Sequence, residues 1–473
     1  MGADNGPVRS AAGAVARRAP VFVVLLVLAA TAGCGLDGEN GPNLTVEDGG
    51  GEDIAVVEGS GGDADESGAT DDGDEGIDLA EEGSGDGDTG GDDGEVPPCM
   101  DGVFGPERMV PTAGDEEESP VILPSDGGSP GGFVVLGRAS TPEGGRELRF
   151  RGVAADATVT STAPALLEAA DIGPVHPMVA LPDGRFAVAA TLPSGPSAGL
   201  YLGFADAVGA PIAPFTPVPD SDGGSRDPAL SFDGTDLVLL WTQLVPAGDF
   251  GSVLVARFDA STGTMLATPR SLAGGGRPVP RGTVLWGDTR HMAALGAQDG
   301  PGVSYEELDR MLARSGTAGS EYVSPAETIP APPTIAWSGD SFNIVWQSAD
   351  GVSAHIHFLV FAPASRLSAR RVLSTPVGPS APTTAAVTWA DGPDEWGVGF
   401  RLVEDGGEHA ALARVRSTDR DTTIVGGPIV VNPSASTAFQ PSIAFHEGRY
   451  GLAWVEREDG EYPMFVAVWG CAP

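Results

Sequence analysis

The chain contains an internal repeat of about 53 residues, and this repeat limits its fold more than any other feature. The stretch PTIAWSGDSFNIVWQS (333–348) returns near the C-terminus as PSIAFHEGRYGLAWVE (441–456). Five more copies lie at 118–137, 176–190, 227–241, 281–296 and 385–400. Measured between equivalent residues, the intervals are 53, 51, 54, 51, 54 and 54 residues. Because a fixed period outranks local propensity, we infer seven similar structural units.

Each copy contains two short apolar runs separated by a turn, which predicts a β-hairpin, and a second hairpin follows in most copies, as in 252–272. Four strands in each of seven repeats resemble a β-propeller. The resemblance implies an all-β, seven-bladed propeller of four-stranded blades over residues 99–473. Tandem β-sandwiches would need about 100 residues per unit. The segment 305–316 has helical propensity, but it aligns with 354–365, so we expect a strand or irregular structure there.

The two ends of the repeat region complement each other. The last repeat stops one strand short at Pro473, and the segment GVFGPERMVPTAG (102–114) resembles the fourth strands of other repeats. We predict that this segment completes the last blade and closes the ring, which removes the exposed sheet edges. Cys99 and Cys471 flank this junction, and we predict a disulfide between them in an exported chain. Zinc suits them poorly, because two sulfurs without a nearby histidine make half a site.

The N-terminus has the three parts of an export signal: arginines, the apolar run VFVVLLVLAATA (21–32), and a small-residue segment before Cys34. The segment TAGC (31–34) resembles the lipobox of bacterial lipoproteins, although Thr31 replaces the usual Leu. The resemblance implies a signal peptide at 1–33 and lipidation of Cys34. An ordinary secretory signal and a short uncleaved anchor are the alternatives. Gly35 is not the Asp that retains such proteins at the inner membrane, so we expect the outer membrane or cell surface.

An acidic segment at 34–98 separates the signal from the repeats. Residues 37–98 hold 22 Asp and Glu and no Arg, and the whole chain has a formal charge of −40. Such a segment buries too little apolar surface to order itself, so we predict a disordered tether. Its acidic residues lack the fixed spacing of calcium-binding loops, which leaves calcium binding open. Nucleic acid is not an expected partner, because phosphate binding needs a basic surface.

Candidate chemistry lies in the loops that lead from one predicted blade into the first strand of the next, here called the entrance loops. The alternating positions of those first strands are small or apolar, and no P-loop, serine elbow or His-Glu-x-x-His motif occurs. We therefore assign no catalytic residue, metal site or cofactor, and enzymatic activity stays uncertain, with the balance against it. The candidate ligand-binding residues are His176, Asp220, Asp222, Arg226, Asp227, Arg277, Arg281 and Gln440.

These observations predict a monomeric, membrane-anchored and surface-displayed lipoprotein whose propeller serves as a binding or scaffold module. A glycan or an envelope protein is the expected partner, because acidic and Arg side chains together can bind an anionic sugar or a peptide carboxylate. One alternative is a carbohydrate-active hydrolase or lyase with its site on the entrance loops. Another is a subunit of a cell-envelope complex. Fold alone does not choose among them.

Overall fold

The protein is all-β in the part of the chain that its structure describes. The computed structural model describes residues 102–109, 120–125, 132–245, 251–274, 280–297, 302–322, 332–349, 353–363, 367–376, 385–404, 407–417, 422–425, 428–432 and 437–470. Every regular element there is a β-strand. Within these ranges no helix is long and apolar enough to cross a membrane.

The strands are short and follow one another in antiparallel sheets. Strand β1 (Gly102–Met109) comes first in the chain and is placed below. Sheet 1 contains β2 (Val121–Ser125), β3 (Gly132–Ser140), β4 (Arg146–Val153) and β5 (Val159–Ala169). Sheet 2 contains β6 (Met178–Ala180), β7 (Phe186–Leu192), β8 (Gly199–Ala205) and β9 (Thr216–Pro217). Sheet 3 contains β10 (Ser225–Phe232), β11 (Asp236–Leu244), β12 (Gly251–Asp259) and β13 (Arg270–Gly274).

Two further four-stranded sheets have the same order. Sheet 4 contains β14 (Pro280–Gly287), β15 (Arg290–Ala297), β16 (Gly302–Leu308) and β17 (Arg314–Tyr322). Sheet 5 contains β18 (Thr334–Trp337), β19 (Phe342–Ala349), β20 (Ser353–Ala362) and β21 (Leu367–Pro376). The segment with helical propensity, 305–316, forms the end of β16, a turn and the start of β17, so the expectation of a non-helical structure there is confirmed.

The remaining strands form a nine-stranded sheet with two parts. Its first part, sheet 6, contains β22 (Ala386–Ala390), β23 (Glu395–Glu404), β24 (Gly407–Ser417), β25 (Thr422–Ile424) and β26 (Ile429–Val430). Its second part, sheet 7, contains β27 (Thr437–His446), β28 (Arg449–Arg457) and β29 (Met464–Gly470). A single parallel pair, Glu408 with Thr437, joins the two parts.

Strand β1 pairs antiparallel with β29 and becomes the fourth strand of sheet 7. Gly102 stands opposite Gly470 in this pairing, and Met109 stands opposite Met464. Residues from the start of the repeat region therefore share a sheet with residues from its end, which agrees with the assignment made from the segment GVFGPERM.

Seven apolar clusters form the core, and each cluster joins two sheets. Six of them join sheets that follow one another in the chain. The seventh contains Ile122 and Phe133 of sheet 1 together with Val466 and Val468 of sheet 7. Residues of the first sheet and of the last strands therefore pack in one apolar cluster.

Large side chains fill the spaces between sheets. Three tryptophans occupy the same position in three of the repeats: Trp241, Trp346 and Trp454. All three are fully buried, each in a different cluster. Burying such a ring contributes several kcal/mol, so these residues stabilise the contacts between sheets. Gly209, with φ of 84°, allows another close contact, because a Cβ there would lie 2.3 Å from Cβ of Phe150 in the preceding sheet.

The first strands of neighbouring sheets lie side by side, and their alternating side chains point towards two different neighbours. Val121 and Leu123 pack against the cluster between sheets 1 and 2, whereas Ile122 packs between sheets 1 and 7. Because β-pleating alternates the two sides of the strand, successive residues of β2 contact different neighbouring sheets. Hydroxyl groups link the first strands as well: Ser442 Oγ accepts a hydrogen bond from Ile122 N at 3.2 Å.

Candidate functional site

The predicted binding residues lie at or near the start of the first strands, which we call the entrance end of the sheets. His176 precedes β6, Asp220 and Asp222 lie between β9 and β10, and Arg226, Asp227 and Arg281 lie in the first residues of β10 and β14. Gln440 belongs to β27, but its side chain lies outside the description, as do the whole of Arg277, Cys34, Cys99 and Cys471. Lipidation and the disulfide remain predictions.

Asp227 and Arg281 form an ion pair between sheets 3 and 4. Nε of Arg281 lies 3.4 Å from Oδ2 of Asp227, and their side chains are 31% and 13% exposed. Oδ2 of Asp227 accepts no hydrogen bond from any described residue. This oxygen is shielded from solvent, so the pair is a mostly buried carboxylate beside a guanidinium that solvent can reach, and an exposed Arg226 precedes it in the chain.

The backbone at Asp227 is strained. Its φ is 49°, in the left-handed region that favours glycine, and the following residue is Pro228, which disfavours helical conformations before it. The register of β10 with β11 shifts between Arg226 and Ala229, so Asp227 occupies a β-bulge. Bulges and strained residues are common where a strand must redirect a side chain at a functional site.

The loop before Asp227 is held by its own side chains. Asp222 accepts hydrogen bonds from Gly224 N at 2.7 Å and from Gln243 Nε2 at 2.5 Å, and Ser225 Oγ donates to Gln243 Oε1 at 2.6 Å. Asp222 thus has a structural role, and the loop that presents Asp227 is ordered. Asp220 is exposed, with φ of 60°.

His176 is buried and stands apart from the ion pair. It is fully buried, and burial together with the nearby Arg138 guanidinium lowers its pKa to about 3. The carbonyls of Leu136 and Pro174 oppose this shift, but neither meets hydrogen-bond geometry. Its ring is therefore neutral at physiological pH, and its role is in packing. Of the predicted residues, the structure brings together Asp227 and Arg281 and places His176 elsewhere.

Buried carboxylates away from this site are held by hydrogen-bond donors. Glu395 accepts hydrogen bonds from Arg414, at 2.9 Å for its Nη2, and from Tyr450 Oη at 2.9 Å. Burial and this carboxylate raise the pKa of Tyr450. Oε1 of Glu456 accepts hydrogen bonds from Asn432 Nδ2 and Trp454 Nε1, both at 2.7 Å. No sequence pattern indicates these clusters, because their members lie on different strands at unrelated spacings.

His355 and His357 lie on the same side of β20, with ring centroids 6.3 Å apart. His357 stacks on Trp346 at 4.9 Å, and its Nε2 lies 2.7 Å from Ser348 Oγ. Within the described ranges no group of three or more His, Cys, Asp or Glu side chains is arranged to hold a metal ion. The pair therefore takes part in packing and hydrogen bonding.

Comparison with known proteins finds neither a matching family model nor a matching curated protein. Among solved structures, the chain is similar to the β-propeller domain of the Trilobed protease from Pyrococcus furiosus, with 9% identity, 77% of this chain and 94% of that chain covered, and a TM-score of 0.42. It is also similar to an endo-arabinase from Bacteroides thetaiotaomicron, with 15% identity, 66% and 99% coverage, and a TM-score of 0.36.

A third similar structure is an α-L-arabinofuranosidase from Podospora anserina, in complex with cellotriose. Identity is 9%, coverage is 53% of this chain and 91% of that chain, and the TM-score is 0.30. At such TM-scores the ligand and chemistry of this chain have to be argued from its own residues.

Proposed function

We propose that the seven sheets are the blades of a closed β-propeller, that this propeller binds an anionic glycan at its entrance end, and that lipid on Cys34 holds it at the bacterial cell envelope. The pairing of β1 with β29 and the apolar cluster between sheets 1 and 7 support closure of the ring. Gly102, three residues after Cys99, stands opposite Gly470, one residue before Cys471, and this pairing is consistent with the proposed disulfide.

The envelope location depends on the N-terminal sequence. A chain lipidated at Cys34 would be held at a membrane surface, with each buried methylene contributing roughly 0.8 kcal/mol. The acidic tether, as a random coil, would span on the order of 45 Å and would keep the folded domain away from the lipid. A binding domain on such a tether can reach ligands outside the membrane.

The ion pair between Asp227 and Arg281 is the observation that carries the binding proposal. The Asp227 side chain is 13% exposed, so the solvent-facing part of its carboxylate can accept a hydrogen bond from a sugar hydroxyl, while the Arg281 and Arg226 guanidinium groups can pair with a sugar carboxylate. A uronic acid offers both groups on one ring. The strain at Asp227 is consistent with this use, because the conformation aims the carboxylate and costs on the order of 1 kcal/mol.

Binding is favoured over hydrolysis by the state of the carboxylates. A glycosidase needs two carboxyl groups facing one bond, one of them able to donate a proton. The described buried carboxylates of Glu395 and Glu456 are committed to donors inside the fold, and Asp227 is paired with Arg281.

The proposal is tested by titrating the full-length protein with oligogalacturonate and with a neutral oligosaccharide of the same length. We expect calorimetric binding to the acidic sugar, weakened at least ten-fold in Asp227→Asn and Arg281→Gln and unchanged in the control Arg457→Gln, which alters an exposed arginine of sheet 7. Equal binding of both sugars, or equal loss in the control, would refute it. Release of reducing sugar that depends on Asp227 would assign a hydrolase instead.

A further inference from the structure

The opposite ends of the first strands carry a second surface, which differs in chemistry from the entrance end. In sheets 4 to 7 each first strand has an aromatic residue at or beside its end, where the hairpin leads into the second strand. These four partly exposed residues, here called the aromatic row, are Trp286, Trp337, Trp389 and Phe445. Since the strands that bear them, β14, β18, β22 and β27, contact one another in that order, the row crosses four neighbouring sheets.

Each ring of the aromatic row is supported by a second ring on the paired strand. Trp337 stands opposite Phe342 with ring centroids 4.4 Å apart, and Trp389 stands opposite Trp396 at 4.6 Å. The pairs of Trp286 with His291 and of Phe445 with Tyr450 repeat the arrangement at 4.6 Å and 4.9 Å. The rings are therefore fixed in place and lose little conformational entropy when a ligand binds.

Exposed carboxylates follow each ring of the row in the hairpin turns. They are Asp288, Asp340, Asp391, Asp394 and Glu447. Asp340 accepts a hydrogen bond from Ser338 Oγ at 2.7 Å, and Asp391 accepts one from Gly392 N at 3.0 Å, but none of the five forms an ion pair with a described residue. The row is thus bordered by negative charge that the described part of the protein does not neutralise.

One ring of the row already holds a cation. The guanidinium of Arg310 lies over Trp286 at 5.2 Å from the ring centroid, and this side chain is 50% exposed. The same side chain pairs with Asp233, with 3.3 Å between Nε and Oδ2. An aromatic face and a carboxylate together therefore bind a guanidinium on this side of the molecule, as the cation–π interaction and charge pairing predict.

We propose that the aromatic row, with its bordering carboxylates, is a docking surface for an arginine- or lysine-rich polypeptide segment. Trp337, Trp389 and Phe445 offer rings to successive basic side chains, and Asp340, Asp391, Asp394 and Glu447 supply the opposite charge. This site goes beyond the proposed binding of an anionic glycan, since it lies at the other ends of the first strands and selects the opposite charge. A basic segment of an envelope protein fits this chemistry.

The experiment measures fluorescence anisotropy of labelled octa-arginine with the full-length protein. We expect saturable binding that weakens with added salt. The double variant Trp337→Leu, Trp389→Leu should lose roughly three-fold in affinity per ring, while Trp337→Phe, Trp389→Phe should retain most of it. The acidic tether is unchanged in these variants, so binding to the tether alone would show no difference and would overturn the proposal.

The role of charge is tested with two matched triple variants. Asp340→Asn, Asp391→Asn, Asp394→Asn should weaken binding roughly ten-fold, whereas Glu143→Gln, Glu168→Gln, Asp171→Asn, which neutralises three exposed carboxylates near the entrance end, should leave it nearly unchanged. Equal losses in both would show general electrostatic attraction and refute the site. Thermal unfolding of every variant checks the fold, and a double leucine variant that loses structure is replaced by the single changes Trp337→Leu and Trp389→Leu, each with an expected loss of roughly three-fold.

Discussion

Two buried histidines should make the protein lose stability between neutral and mildly acidic pH. His176 and His291 are both inaccessible to solvent, and neither forms a hydrogen bond with a described residue. Burial lowers the pKa of His291 to about 4, with Asp233 opposing the shift and Arg257 and Arg310 adding to it. Burial and then Arg138 lower the pKa of His176 to about 3.

The sign and size follow from proton linkage. The unfolded chain binds protons on these histidines below about pH 6.5, while the folded chain stays neutral until about pH 4 or lower, so stability falls as pH falls through that window. When the pH falls from about 7 to about 5, each histidine should lower the free energy of unfolding by about 2 kcal/mol, and the two together should lower it by about 4 kcal/mol. Carboxyl groups contribute little here, because they titrate mainly at lower pH.

Guanidinium chloride unfolding followed by tryptophan fluorescence, at the two pH values, measures this loss. The protein should lose about 4 kcal/mol on acidification, and either His176→Gln or His291→Phe should reduce the loss to about 2 kcal/mol, whatever the variant does to stability at neutral pH. His446→Gln, which alters a partly exposed histidine of sheet 7, is the control. An unchanged pH dependence in both buried-site variants would refute the reasoning.

Three further predictions concern a buried amide, a buried ion pair and a strained turn. Asn343 is fully buried with both amide atoms unsatisfied by described residues, so Asn343→Leu should stabilise by roughly 1 to 3 kcal/mol, and an unchanged denaturation midpoint would contradict this. Glu395→Leu should destabilise by about 3 kcal/mol or more because Arg414 loses its carboxylate, whereas the double variant with Arg414→Leu should recover much of that loss in the same assay. Glu447 has φ of 46°, so Glu447→Gly should raise the melting temperature slightly while weakening octa-arginine binding; a lower melting temperature would show that no strain is relieved.

The repetitive part of the fold could be predicted from sequence, because each unit carries the same local pattern. Seven apolar hairpins fixed the number of repeats, and the likeness of GVFGPERM to fourth strands led to the pairing of β1 with β29. Apolar neighbours recur around Trp241, Trp346 and Trp454 in their repeats, and this pattern indicates that the three rings take part in packing.

Features that depend on one repeat alone could not be predicted. The register of β27 also shifts before Pro441, but the left-handed conformation of Asp227 could not be predicted, because a residue before proline is usually extended. The cluster of Glu395, Arg414 and Tyr450 joins strands of two different repeats, and sequence does not say which arginine meets which acid. The single parallel pair that merges sheets 6 and 7 has no sequence pattern of its own.

The central claim is that the start and the end of the repeat region meet in one blade and close the propeller. Peptide mass spectrometry of the full-length protein exported into the oxidising periplasm of a bacterial host, with and without reduction, tests this claim most directly. The account predicts a peptide in which Cys99 is linked to Cys471 and which disappears on reduction, alongside acylated Cys34. Free thiols at both Cys99 and Cys471 in protein isolated from that oxidising compartment would contradict it.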